Sequence, residues 1–200
     1  MYMTFIVIEG LDGCGGETQT KLLKKYLTKN KIPHRILSSP DYSTQIGKRI
    51  KLYLDEKINL NPEDAFKLFA SDTLLTSKQI EKETDKLVIM DRYITSTIAY
   101  QAARGFNFEK GIEFAENMDY VKPDTIIYID IKSETSMKRK KKEKGKLDYH
   151  ESKLDYLKKV RKFYLQETKR DVLCEWLIID GEKSIIEVHK DILKIVNKFL

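Results

Sequence analysis

Cysteine is scarce in this sequence, whose 200 residues include only Cys14 and Cys174. Two isolated cysteines exclude a disulfide framework and the paired spacing of a cysteine metal site, and they favour a reducing, cytoplasmic setting. No run approaches the roughly 20 apolar residues that a membrane-spanning helix requires. The N-terminus also lacks a charged region followed by an apolar run and a cleavage site. We therefore expect neither a signal peptide nor a membrane partner.

Acidic residues are outnumbered by basic ones, 31 against 37, which gives a net charge of +6. This excess suits an anionic partner, either nucleic acid or a phosphorylated small molecule. Nucleic acid is not expected, because stacking aromatic residues are not interleaved with the basic ones and only Tyr149 is close by. A solvated, lysine-rich helix end is the alternative reading. Seven basic residues fall within nine positions: Lys138, Arg139, Lys140, Lys141, Lys142, Lys144 and Lys146.

Short apolar, β-branched runs alternate with helical patterns, without an internal repeat or a linker-like segment. Such runs are typical of buried parallel strands, and their alternation with helices predicts right-handed βαβ units. We expect a single domain over residues 1–200 with an α/β fold, in three layers (α/β/α) around a five-stranded parallel sheet. The predicted strands are 4–8, 34–38, 87–91, 125–130 and 176–180. Helices are predicted at about 18–30, 46–55, 63–84, 94–103, 108–118, 134–143, 151–173 and 184–199.

Acidic residues lie at the ends of predicted strands, among them Glu9, Asp91 and Asp130. Ligands of open parallel sheets bind at the carboxyl ends of the strands. The three carboxylates are therefore expected at one rim of the sheet.

A glycine-rich loop follows the first strand and leads directly into a helix. Glycines let a backbone turn with positive φ and present several N–H groups to an anion, and the helix N-terminus adds further donors. The strand–loop–helix context is that of a phosphate-binding loop, G-x-x-x-x-G-K-[ST]. The residues predicted to bind ATP are Gly10, Leu11, Asp12, Gly13, Cys14, Gly15, Gly16, Glu17 and Thr18.

The loop lacks its usual cation, because Gly16 and Glu17 stand where lysine and serine are expected. In phosphoryl transfer that lysine neutralises charge on the β and γ phosphates, and the hydroxyl that follows holds Mg²⁺. Glu17 is interpreted either as a magnesium ligand or, preferably, as a first-turn acid stabilised by the helix dipole. Thr18 keeps one hydroxyl nearby.

The segment "DRYITSTIAYQ" at 91–101 resembles thymidylate kinases, a family of P-loop nucleoside monophosphate kinases. Further similarities follow in the family's order over about 160 residues. They include "EGLDG" at 9–13, "SPDYSTQIGKRIKLYL" at 39–54, "LFASD" at 68–72 and "GKLDYHE" at 145–151. The resemblance implies a P-loop NTP hydrolase-like fold with a mobile lid at about 138–152. It also implies a homodimer and transfer of phosphate from ATP to dTMP with Mg²⁺.

The resemblance implies roles for individual residues. Asp12 and Arg92 would act in catalysis, with the guanidinium fork of Arg92 gripping the acceptor phosphate. Phe69 would stack on thymine and Tyr100 would pack against the sugar, although core packing is the commoner fate of such aromatics. Thr18 and Asp91 would contact the metal, while Asp91 is equally suited to orient Arg92. The residues implied for dTMP binding are Phe69, Arg92, Thr97, Tyr100 and Gln101.

Departures from the family pattern lie at charged positions. Besides Gly16 and Glu17, they are Thr73, where an arginine is usual, the pair Asp41-Tyr42, and Tyr149 in the lid. Basic residues of the lid region are expected to supply the missing charge, with Arg139 and Lys142 as catalytic candidates and Lys144 and Lys146 as possible helpers. Two alternatives stay open: an impaired homologue that binds nucleotide without much turnover, and a kinase for another pyrimidine monophosphate.

Overall fold

One parallel sheet of five strands forms the centre of the molecule. The computed structural model describes residues 3–84, 86–144 and 151–200. In chain order the strands are β1 (Thr4–Gly10), β2 (His34–Ser38), β3 (Leu87–Asp91), β4 (Thr125–Asp130) and β5 (Trp176–Asp180). In space their order is β2-β3-β1-β4-β5, and every pairing is parallel. The predicted α/β fold and five-stranded parallel sheet are confirmed.

Helices connect the strands and cover the sheet. They are α1 (Gly16–Lys29), α2 (Gln45–Leu54), α3 (Pro62–Ile80), α4 (Ile94–Ala102), α5 (Phe108–Asn117), α6 (Ser133–Lys144), α7 (Glu151–Lys169) and α8 (Ile185–Val196). Helices α1 and α8 pack together against the sheet, whereas α3, α5 and α7 pack around α4, which also contacts β1. Within the described ranges, no helix has the length and apolar character that crossing a membrane demands.

Two helices end four residues earlier than their sequence patterns predict. The predicted helix 63–84 ends at Ile80, where the next N–H groups make tight turn bonds and Glu83 pairs with Arg35 and Lys86. The predicted helix 151–173 ends at Lys169, because Asp171 (φ 47°) and Leu173 (φ 73°) adopt left-handed backbone conformations that turn the chain toward β5.

The central strands explain why apolar runs, rather than alternating patterns, mark this sheet. Residues 5–8 of β1 and 126–129 of β4 are completely buried, since helices cover both faces. At the edge of the sheet β5 is less covered, and Ile178 is 53% exposed. The carboxyl ends of β1, β3 and β4 lie side by side in the register, so Glu9, Asp91 and Asp130 do share one edge.

Glu167, on α7, is a completely buried carboxyl group with an unusual environment. Neither of its oxygens has a hydrogen-bond partner among the described residues. Burial raises the pKa of Glu167 well above its ordinary value, and the carboxylate of Glu9 raises it further. The side chain is therefore held in its neutral form, and ionising it would destabilise the fold.

We predict that Glu167→Gln stabilises the chain in a pH-dependent way. Because the folded-state pKa lies above the unfolded value of about 4.3, the free energy of unfolding is highest below that pH and falls as the pH rises toward the folded-state pKa. Glutamine does not ionise, so the variant should have the higher Tm near pH 8 and nearly the same Tm as the wild type near pH 4. Each kcal/mol regained corresponds to roughly 2–4 °C.

Differential scanning calorimetry across this pH range measures the difference. Glu113→Gln, at an exposed position of α5, is the matched control and should show no such trend. A Tm difference that does not grow with pH would contradict the assignment.

Candidate active site

The loop between β1 and α1 is built around its glycines. Gly13 and Gly15 have φ values of 78° and 100°, which side chains rarely adopt. A Cβ at Gly10 would lie 2.7 Å from the sulfur of Cys14 and 2.8 Å from the carbonyl oxygen of Ile129. Gly15 is the N-cap of α1, and no side chain of the described residues caps this helix. The first-turn N–H groups are thus left for an anion.

This loop forms one wall of a cavity of about 510 Å³, called the donor cavity below. All nine residues predicted to bind ATP, from Gly10 to Thr18, line it. Its other walls come from the segment after β2, from the end of β3 and from α6, through Ser38, Ser39, Pro40, Tyr42, Asp91, Arg92 and Lys140.

Asp91, at the end of β3, lies against the start of α1. A Cβ at Gly16 would be only 2.9 Å from Oδ1 of Asp91. Burial raises the pKa of Asp91 to about 6; Arg92 opposes this rise, while Glu9, Glu17 and Asp12 add to it. Above that pH the group is a carboxylate. Both predicted metal contacts, Thr18 and Asp91, line the donor cavity.

Glu17 lies at the rim of the donor cavity. Its side chain is 77% exposed and pairs with Lys21 one turn later on α1. The hydrogen bond and charge of Lys21 lower the pKa of Glu17, and Lys140 lowers it further. Glu17 is thus an acidic residue of the first turn of α1 that pairs with Lys21, as the preferred interpretation expects.

Arg92 and Asp12 form the junction between the loop and the rest of the site. Nη2 of Arg92 donates to Oδ1 of Asp12 at 2.8 Å, and the guanidinium carbon lies 5.2 Å from the ring centroid of Tyr100. The hydroxyl of Tyr100 accepts from the Asp12 N–H at 2.9 Å and donates to Oδ1 at 3.1 Å. Arg92 has a φ of 67°, a strained backbone conformation of the kind that concentrates at functional sites.

A second cavity of about 340 Å³ opens on the other side of this junction and is called the acceptor cavity below. All five residues predicted to bind dTMP line it: Phe69, Arg92, Thr97, Tyr100 and Gln101. Gln101 is buried, and its Oε1 has no hydrogen-bond partner within the described chain. The two cavities share the charged residues Asp12, Arg92 and Lys140, together with Ser39, Pro40 and Tyr42, so ligands in them would meet at these side chains.

Glu9 is a functional residue that sequence reasoning did not assign. Its side chain is buried, and Oε1 accepts from the N–H groups of Tyr93 and Ser96 and from the hydroxyl of Thr95. Glu9 thereby caps the N-terminus of α4 from a neighbouring strand. Its Oε2 accepts from the hydroxyls of Ser96 and Tyr164. In the sequence, Glu9 was marked by its position at the end of a strand and as the first residue of the segment "EGLDG".

The same two hydroxyls face Arg92. Nη1 of Arg92 donates to Ser96 Oγ at 3.3 Å and to Tyr164 OH at 3.5 Å. Ser96 Oγ and Tyr164 OH also lie 2.7 Å apart, so Glu9, the two hydroxyls and Arg92 form one hydrogen-bonded cluster in which the hydroxyl oxygens accept from Arg92. Glu9 therefore positions the Arg92 guanidinium indirectly, through the hydroxyl groups of Ser96 and Tyr164.

Helix α6 packs directly on the loop. Arg139 donates from Nη1 to the Gly13 carbonyl at 3.2 Å and from Nη2 to the Gly181 carbonyl at 2.9 Å. Lys140 lines both cavities. Its sequence context does not distinguish it from its basic neighbours. Lys142 is exposed on α6 and is not among the described lining residues of either cavity. Residues 145–150 of the predicted lid, which include Lys146 and Tyr149, and the side chain of Lys144 lie outside the described residues.

Other strand-end and loop residues have structural roles. Asp130 forms a two-bond ion pair with Arg161, at 2.8 and 2.7 Å. Asp41 accepts from Ser43, whereas Tyr42 is 46% exposed and lines both cavities. Thr73 is buried and donates to the carbonyl of Phe69 at 3.1 Å.

A glycine loop at the carboxyl edge of a parallel sheet, with a second cavity across an arginine, defines a nucleotide-dependent phosphotransferase. The comparisons with known proteins identify its family. The thymidylate kinase family model matches residues 8–192. The chain belongs to the thymidylate kinase family.

Individual relatives agree with this assignment. A thymidylate kinase from Thermoanaerobacter sp. (strain X514) is 36% identical over 202 residues, covering 98% of each chain. A probable thymidylate kinase from Methanocaldococcus jannaschii is 37% identical over 193 residues, covering 94% of this chain and 93% of the relative. The solved structure of thymidylate kinase from Candida albicans is similar with a TM-score of 0.78 and 27% identity, covering 98% of this chain and 92% of that one.

Proposed function

We propose that this chain transfers the γ-phosphoryl group of ATP to dTMP, with ATP in the donor cavity and dTMP in the acceptor cavity. The observation that carries the proposal is that the two cavities meet at Asp12, Arg92 and Lys140. Catalysis of phosphoryl transfer is mainly positioning and electrostatic stabilisation, and this junction provides both. Membership of the family favours a working kinase over a protein that only binds nucleotide.

The acceptor would be bound by residues already in place. Arg92 would exchange its contact with Asp12 for the phosphate of dTMP, to which it offers a fork of permanent charge. Phe69 would stack on the base, and Tyr100, fixed by Asp12, would pack against the sugar and exclude a ribose 2′-hydroxyl. Thr97 and Gln101 would contact the base edge, where the unpartnered Oε1 of Gln101 supports the proposal.

Mg²⁺ fits the donor cavity. Magnesium ions in such sites are usually held by one or two protein oxygens together with substrate phosphates and water. The carboxylate of Asp91 and the hydroxyl of Thr18 both line this cavity and would supply those oxygens. When bound, the ion neutralises charge on the phosphates of ATP.

Lys140 is the best-placed substitute for the missing loop lysine. It is half-buried and lines both cavities, and its Cγ would lie 3.8 Å from a Cβ at Gly13. Its ammonium group would stabilise charge on the transferred phosphoryl group. Arg139, which binds the loop carbonyls, would hold the loop while contributing charge of its own, and Lys142 would act from the proposed lid at about 138–152.

The wider setting is also part of the proposal. We propose a single domain in a cytoplasmic setting, with no nucleic-acid or membrane partner, that assembles as a homodimer through its helices. Membership of the thymidylate kinase family supports such an assembly.

The test of the function is a coupled ADP-release assay with ATP and Mg²⁺. We expect turnover with dTMP that exceeds turnover with dUMP, dCMP and dGMP. Silence with all four acceptors, while ATP still binds, would support the impaired homologue instead. A clear preference for dUMP or dCMP would support a kinase for another pyrimidine monophosphate.

We predict that Lys140→Ala lowers kcat by about 100-fold or more, the typical effect of removing one transition-state donor. The KM for dTMP should change little, because Arg92 retains the acceptor phosphate. Lys141→Ala, at an exposed position next to it on α6, should leave kcat within about twofold. Equal effects of the two substitutions on steady-state kinetics would remove Lys140 from the proposed mechanism.

A further inference from the structure

The acceptor cavity has one amide and one guanidinium close together at the end of α4. Gln101 lines the cavity with its unpartnered Oε1. Arg104 follows three residues later and also lines the cavity. Its backbone N–H donates to the backbone carbonyl of Gln101 at 3.0 Å. Both residues therefore line the cavity in which a base would bind.

Aromatic rings hold the guanidinium of Arg104. Its central carbon lies 5.4 Å from the ring centroid of Tyr53 and 5.3 Å from that of Tyr156. Nε of Arg104 also donates to the hydroxyl of Tyr156 at 3.3 Å. Since the ring of Tyr53 is 6.1 Å from that of Phe69, Arg104 is held beside the aromatic wall on which the base would stack.

The two groups differ in what they can discriminate. A glutamine amide carries an acceptor on one side and donors on the other, so a rotation of 180° adapts it to a keto or an amino base. A guanidinium has only donors and stays charged at any relevant pH. Arg104 therefore suits a base carbonyl oxygen and opposes an amino group at the same position.

Other residues near the predicted stacking residue do not supply this charge. Thr73, on the turn after Phe69, is buried, and its hydroxyl contacts Ser39 at 3.2 Å besides donating to the Phe69 carbonyl. Arg92 is engaged with Asp12 at the other end of the cavity. Lys140 also lines the acceptor cavity, but it is one of the residues shared with the donor cavity. This leaves Arg104 as the cation best placed for the base edge.

We infer that Arg104 determines the base specificity of the acceptor cavity by donating a hydrogen bond to the 4-keto oxygen of a pyrimidine. It thereby selects thymine and uracil against cytosine, whereas Gln101 accepts from the adjacent ring N–H. The inference deepens the proposed function and rests on it, because it assumes a nucleoside monophosphate in this cavity.

The decisive comparison is between dUMP and dCMP, whose bases differ in the 4-keto or 4-amino group and in the hydrogen on ring N3, which only uracil carries. Because Gln101 is unchanged in Arg104→Met, a change in the preference on that substitution reports the contact with the 4-position. The wild type is expected to prefer dUMP in kcat/KM, and Arg104→Met should reduce the ratio of the two kcat/KM values at least tenfold. The ratio between dTMP and dUMP, which reports the 5-methyl group, should stay within about twofold. Arg170→Met is the matched control, because Arg170 is exposed, pairs with Glu109 and likewise lies over an aromatic ring.

A folded Arg104→Met variant with an unchanged ratio between dUMP and dCMP would overturn the inference. Should that variant fail to fold, Arg104→Lys replaces it. Lysine keeps the charge and the donors, so this variant is expected to retain most of the wild-type preference for dUMP. Loss of that preference in the folded lysine variant would count against a donor role. If the wild type releases no ADP with any acceptor, the proposed function fails. Calorimetric Kd values for dUMP and dCMP, in the wild type and the variants, then decide the specificity separately: an equal Kd for both ligands in the wild type would refute it.

Discussion

The buried carboxylate of Glu9 is the interaction on which the geometry of the site depends. Five hydrogen bonds reach it from α4 and α7, so one side chain of β1 joins the sheet to two helices. Hydrogen bonds to a charged acceptor contribute about 1.5–3 kcal/mol each when they are well made, and the buried charge would be costly without them. Because Ser96 and Tyr164 are oriented by Glu9, their oxygens in turn fix Arg92, and Arg92 and Asp12 fix Tyr100.

Positive charge in this site comes from several elements rather than from the loop. A side chain at position 16 would begin 2.9 Å from the Asp91 carboxylate, so the loop is built for glycine beside an acid. The cations instead extend from β3, from α6 and from the end of α4, in the form of Arg92, Lys140 and Arg104. Each of these cations has its own set of neighbours. The site can therefore hold positive charge even though the loop has no lysine at position 16.

Apolar runs and helical periodicity predicted all five strands and all eight helices, because the buried parallel sheet requires such runs. The ends of α3 and α7 were wrong, since ion pairs and left-handed residues after the helix, rather than helical periodicity, stop these helices. The motif around the glycine loop and residues 91–101 located both cavities. The sequence did not reveal the roles of Glu9, Lys140 and Arg104, because each role depends on residues distant in the sequence. Glu9 caps a helix that follows another strand. Lys140 is the member of a lysine run that lines the cavities, and Arg104 lies between two tyrosines that are far away in the chain.

Glu9 thus controls the binding of the acceptor without lining the acceptor cavity. Isothermal titration calorimetry of dTMP binding to the Glu9→Gln variant tests this most directly. Glutamine keeps the size of the side chain but replaces one acceptor oxygen by a donor, which reverses the hydrogen bonding toward Ser96 and Tyr164. The account predicts a Kd for dTMP at least tenfold weaker, about 1.4 kcal/mol, with the Kd for ATP within about threefold of the wild type. Glu116→Gln, on the exposed side of α5, should match the wild type. A folded Glu9→Gln variant that binds dTMP as tightly as the wild type would contradict the account.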